Sequence, residues 1–172
     1  DNSFYMTRDF NGQMNMNGAP FLDEYCSISP RDDNLLIYGH NMKNGQMFGK
    51  LRQMNSWEKL SANPFVTFDT IYETGTYVPI AMFPCSIIPA TDYFRFYIRN
   101  FSGEKQFDEF IQRARELSEI HLNVDAQYGD RLLTLVTCYD DAHNQRYIVL
   151  LRALREGETE DQVVQKYFRR WK

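Results

Sequence analysis

Short β-prone runs, broken every few residues by Gly, Pro, Asn or Asp, constrain this chain more than any other feature. The clearest are 34–39 (NLLIYG), 65–72 (FVTFDTIY), 76–83 (TYVPIAMF), 131–138 (RLLTLVTC) and 146–153 (RYIVLLRA). Weaker runs lie at 19–26, 85–88 and 92–98 (DYFRFYI). Strands this short bury their apolar faces only within a curled or stacked sheet, so the pattern predicts a β-barrel or sandwich with a few inserted helices. Glu73-Thr74-Gly75 reads as the turn of a hairpin, and Pro79 predicts an edge or a bulge in the second strand of that pair.

Helical spacing interrupts the β pattern in four places. Met47, Leu51 and Met54 share one face of a short helix within 46–54. Ser56 is a candidate N-cap for 56–62, with Pro64 beyond its end. Residues 104–120 form the clearest helix, with Phe107, Phe110, Ile111, Ala114, Leu117 and Ile120 in one apolar stripe and Ser102 as the expected N-cap. Thr159 and Gln162 fit a capping box, opening a last helix with Val163, Val164, Tyr167, Phe168 and Trp171 on one side.

The length of 172 residues fits one domain spanning 1–172. A net charge of −4 argues against a nucleic-acid partner, and the basic cluster Arg169, Arg170 and Lys172 reads as a solvated helix end. No run of about 18 consecutive apolar residues occurs, so nothing in the chain reads as a membrane span. Three cysteines, Cys26, Cys85 and Cys138, do not make a disulfide framework, and at least one is expected to be free. No Cys/His spacing suits zinc, and no phosphate-binding or dinucleotide-binding glycine string is present, so neither metal nor cofactor is expected.

Chemistry therefore has to come from side chains alone. Cys138 ends a buried-looking strand just before the polar Tyr139-Asp140-Asp141, where a nucleophile would combine rigid support with access; a core thiol is the plain alternative. His40 ends the run 34–39 and could serve as acid or base, or as a structural histidine. Arg146 starts the run that follows Cys138; if the two runs pair antiparallel, its guanidinium lies near the thiol and could steady an oxyanion. Without such pairing it is an ordinary strand-end Arg. Among the rivals, His143 lies in a polar loop that holds a base poorly, and His121 closes the long helix. Cys26 and Cys85 read as packing residues.

Several strings in order give the chain a resemblance to the sortases. Thr134-Leu135-Val136-Thr137-Cys138 is similar to that family's nucleophile motif, TLxTC, and Ile37-Tyr38-Gly39-His40 to the segment around its catalytic His. Arg146 matches its essential Arg. Gly39 to Leu51, the opening Phe4-Tyr5-Met6-Thr7 with Asp9-Phe10, and the helix before the Cys strand resemble class B. Asp23-Glu24-Tyr25-Cys26-Ser27 departs from the Asp-Tyr-Arg-Asn string common in that class, so no substrate-contacting Asn is carried over there.

The resemblance implies a closed eight-stranded barrel with flanking helices. It also implies a cysteine transpeptidase: Cys138 attacks a Thr carbonyl in a C-terminal sorting signal, Arg146 holds the oxyanion, and His40 protonates the leaving amine. An amine then resolves the thioacyl enzyme, and Thr137 contacts the substrate. The implied partners are surface proteins bearing sorting signals and an amine acceptor, either a peptidoglycan precursor or a pilin Lys. The implied location is the outer face of a Gram-positive cell membrane, with tethering by an N-terminal membrane helix that this chain does not include. A cysteine protease and a non-enzymatic β-barrel binding domain are the alternatives.

Overall fold

A computed structural model describes residues 1–139 and 144–169. The expected residues His143, Asp140, Asp141, Arg170, Trp171 and Lys172 lie outside that set. Six strands are described: β1 (Phe21–Leu22), β2 (Asn34–Tyr38), β3 (Val66–Thr67), β4 (Thr76–Ser86), β5 (Leu132–Cys138) and β6 (Gln145–Ala153). They form one mixed sheet in the order β1-β2-β5-β6-β4-β3. β2 runs parallel to β5, and β6 runs antiparallel to both β5 and β4. The helices are α1 (Trp57–Ala62), α2 (Glu104–Leu117) and α3 (Glu160–Val163), the last continuing into a wider π-type turn, Val164–Phe168.

β4, β5 and β6 are buried almost end to end, because both faces of the sheet are covered. α2 packs against β4 with Phe107, Phe110, Ile111 and Ala114 inward. On α1, Trp57 stacks on Phe168 at 5.9 Å, tying the C-terminal turn to the body. No described helix is long and apolar enough to cross a membrane.

The mainly β fold with flanking helices is the expected one, but six strands are described rather than eight. Residues 92–98 make only an isolated bridge, Ser86 to Tyr93. Their apolar side chains go to the helix instead: Phe94 lies 4.8 Å from the Phe110 ring on α2. The first run shrinks to two residues because Asp23 turns the chain, accepting from the Tyr25 N–H through its side chain and the Cys26 N–H through its carbonyl. Segment 46–54 is not a continuous helix. Positive φ at Gly45 (79°) and Met47 (51°) breaks it, leaving one tight turn, Arg52–Met54.

The hairpin signal is right in kind but looser than a tight turn, since Val66 and Thr67 pair with Tyr77 and Thr76 across a loop of residues 68–75. Pro79 does mark a bulge. α2 stops at Leu117, where the Ser118 hydroxyl turns to the backbone of Met82 and Ile120, so His121 lies beyond the helix. Gly103 is its N-cap residue; Ser102 instead donates both its N–H and its hydroxyl to Gln106. The caps at Ser56 and Thr159 form as expected, the latter as a full capping box.

Candidate active site

The ladder registers build the site. Tyr38 pairs with Val136 on parallel neighbours, so His40, two residues on, leaves β2 at the level of Cys138. On the other side Cys138 lies directly opposite Arg146. The Cys strand is thus flanked by the His strand and the Arg strand, and all three residues line one cleft of about 340 Å³. Directly opposed residues point to the same face of a sheet, which puts the Arg146 side chain beside the thiol.

Local contacts fix each member. Gly39 is required because a Cβ there would come within 2.7 Å of the Phe48 ring, and the Phe48 N–H donates to the His40 carbonyl at 2.9 Å. The His40 ring Nε2 lies 2.6 Å from the Met6 carbonyl oxygen, so the N-terminal segment holds one edge of the imidazole. Asn41 donates its side-chain amide to the Cys138 carbonyl at 3.0 Å, pinning the strand end that carries the thiol. Arg146 donates to the Gln145 carbonyl at 2.9 Å. Thr137 lines the cleft, with its hydroxyl donating to the Gly39 carbonyl at 2.7 Å.

The other thiols are elsewhere. Cys85 is fully buried on β4, facing Arg146 across the opposite ladder. Burial pushes it up to about 12 from an ordinary value of 9.0. Cys26 is half-buried, its sulfur accepting from the Leu36 N–H, and burial pushes it up to about 11. Thiolate is the reactive form, so these shifts cut the reactive fraction by about a hundredfold or more. Brief iodoacetamide treatment of the folded protein at pH 8 is therefore expected to label Cys138 first, with Cys26 and Cys85 at least about tenfold slower by peptide mass mapping. Equal labelling of all three would contradict this assignment.

His40, Cys138, Arg146 and Thr137 meet in the cleft; His121 does not line it. Sequence reasoning missed Asn41 and the Met6 carbonyl, since contacts across 97 and 34 residues leave no local pattern. Among the described residues, no group of three or more His, Cys, Asp or Glu could hold a metal ion.

Comparison with known proteins points to one family. The sortase domain model matches residues 5–153. Sortase B of Listeria monocytogenes is 32% identical over 139 residues, covering 80% of this chain and 54% of that protein. This chain therefore spans about half the length of that relative. The solved sortase B of Listeria monocytogenes superposes with a TM-score of 0.76 at 26% identity, covering 90% of this chain and 82% of the other. A Staphylococcus aureus sortase B–substrate complex gives a TM-score of 0.80 at 20% identity, covering 90% and 70%. The chain belongs to the sortase family, in its class B branch.

Proposed function

We propose that this chain is the catalytic region of a cysteine transpeptidase that cleaves a C-terminal sorting signal after Thr and passes the new carboxyl end to an amine. The observation that carries this reading is the placement of Cys138 between His40 and Arg146 at one end of the sheet, within one cleft. The thiolate of Cys138 attacks the Thr carbonyl carbon, and the carbonyl electron pair moves onto oxygen. Arg146, directly opposite on β6, supplies guanidinium donors to that oxyanion. Collapse of the tetrahedral species expels the amine of the next residue, which His40 protonates as it leaves. A second amine then attacks the thioacyl carbon, gives up its proton to His40 and releases the thiolate. Thr137, next to the nucleophile, contacts the signal.

The partners on this reading are surface proteins bearing a sorting signal and an amine acceptor of the cell wall. On the same reading the enzyme works at the outer face of a Gram-positive membrane.

The test is mass spectrometry of the protein with peptides varied around a Thr-Gly or Thr-Asn bond, with and without an amine. Cleavage after Thr, with the amine in the product, is expected. Cleavage in which no amine ever enters the product would make the protein a hydrolase. No cleavage of any peptide, with Cys138 alkylating no faster than the buried thiols, would remove the enzymatic reading. In the same assay Arg146→Ala is expected to lose about 10²–10³-fold in kcat, the loss typical of one oxyanion donor. Arg146→Lys should recover only part of it, because an ammonium cannot reproduce the guanidinium fork.

A further inference from the structure

The residue after the nucleophile is held by a cluster that the chemistry above does not use. Tyr139 continues β5 by one residue, its N–H donating to the Gln145 carbonyl at 3.2 Å. Strand alternation turns its ring to the face opposite Cys138, where it stacks on Tyr147 at 6.0 Å and 15°. The Arg52 guanidinium lies over the Tyr139 ring, 4.5 Å from its centroid. Tyr147 is 1% exposed, and its hydroxyl donates to Glu119 at 3.3 Å. Burial and the Glu119 charge push its phenol well above the ordinary range, so it remains a donor at working pH. Glu119 also accepts from the Asn55 side chain at 2.6 Å, and its own N–H is fixed on the Met82 carbonyl of β4.

Arg52 and Asn55 belong to one turn, Arg52–Met54 with its C-cap Asn55. That turn ends the segment that begins at His40, and it docks at two points: Asn55 on Glu119 and Arg52 on Tyr139. Tyr147 follows Arg146 in the chain, as Tyr139 follows Cys138. One cluster therefore touches the neighbours of two proposed catalytic residues and closes the segment that carries the third.

Resting on the transpeptidase reading, we propose that Arg52, Tyr139, Tyr147 and Glu119 are positioning residues that hold the Cys138 strand end in register with His40 and Arg146. None of them touches substrate on this proposal. They fix the thiol's place from the back of the sheet, and a displacement of the order of 1 Å at a reacting atom can cost about a hundredfold in rate. Arg52 is exposed, so its replacement leaves the core intact.

The experiment compares the wild type with Arg52→Ala, Arg52→Lys and Tyr139→Leu. Steady-state kinetics on a cleaved sorting peptide would be combined with hydrogen exchange of the peptide carrying Thr137 to Tyr139. Arg52→Ala is expected to lower kcat about tenfold, with KM within about twofold and the melting temperature close to wild type. Arg52→Lys, which keeps a cation over the ring, should recover at least half of kcat. Exchange at Cys138 and Tyr139 should quicken about tenfold in Arg52→Ala and Tyr139→Leu, and the double variant should be no slower in kcat than the worse single one. Unchanged kcat and unchanged exchange in Arg52→Ala would overturn the proposal. So would a loss confined to KM. A wild type that transfers no peptide at all would instead overturn the transpeptidase reading, and the exchange rates would still decide whether the cluster holds the strand end.

Discussion

Cys138→Ala is expected to abolish peptide cleavage and transfer, with a fall of about 10⁴-fold or more in kcat, the scale seen when a covalent nucleophile is removed. Among the described residues no other thiol lines the cleft. Cys85 is the nearest thiol by register, across Arg146 on the far strand, but it is fully buried and pushed up to about 12. Cys26 lines no part of the cleft and is held up to about 11. The loss should come without unfolding, because Cys138 ends its strand half-buried and the backbone contacts that fix it, from Asn41 and the β6 ladder, do not involve the sulfur. A shift of less than about 1 kcal/mol in unfolding free energy is expected. Cys138→Ser should be nearly as inactive, since a hydroxyl is a far weaker acid than a thiol. Matched melting curves beside the mass-spectrometric assay check both halves. Residual cleavage above about a tenth of wild type would mean that Cys138 is not the nucleophile and that the cleft only resembles a sortase site.

That result would also show how far local sequence reaches. Cys138, His40 and Arg146 were legible because each ends or begins a strongly apolar strand, and such runs identify themselves by composition. The pairing of β5 with β6 followed from their closeness in sequence, and it places Arg146 opposite the thiol. His40 is different. Its position depends on a parallel pairing of β2 with β5 across about a hundred residues, which no local pattern encodes; only the resemblance joined it to the other two.

The same limit explains the misread elements. Residues 92–98 have the alternation of a strand, but Phe94 and Phe96 turn inward, and Phe94 packs on the Phe110 ring of α2. Periodicity reports which side chains are buried and is silent on where the backbone hydrogen bonds go. The His40–Met6 and Arg52–Tyr139 contacts leave no local pattern for a related reason, since each joins segments far apart in the chain. Arg152 is the sharpest case: it lies inside the run 146–153, and nothing local shows the carboxylates it meets.

Arg152→Ala is expected to be strongly destabilising, costing about 3–5 kcal/mol, because it removes a fully buried guanidinium and leaves the largely buried Glu158 carboxylate without its partner. Arg152 is 0% exposed, on β6 between Leu132 of β5 and Val78 of β4. All five guanidinium donors are used. Nε donates to the Asp125 carbonyl at 2.7 Å, one terminal nitrogen to the Ala153 carbonyl and Glu158, and the other to Asp125 and Glu158. Glu158 is thereby held by both of its oxygens. Arg155 pairs with Asp125 and Asp130, and the Tyr167 hydroxyl donates to Asp125, so the C-terminal turn hangs on the same group.

Asp125 and Glu158 are both held below the ordinary carboxylate range by these partners, against the desolvation that would raise them. A depressed folded-state pKa stabilises the fold above the unfolded carboxylate range and loses that contribution as pH falls through the folded value. The wild type should therefore lose stability progressively below about pH 4, and Arg152→Ala should show a flatter acid limb because part of that contribution is already gone. Urea unfolding at pH 7 and at pH 3 measures both effects. Adding Glu158→Leu to Arg152→Met should recover much of the loss by removing the stranded charge together with its partner, while Asp125 keeps Arg155. If Arg152→Ala costs less than about 1 kcal/mol, the network does not hold the C-terminal turn to the sheet, and the stacking of Trp57 on Phe168 has to do so instead.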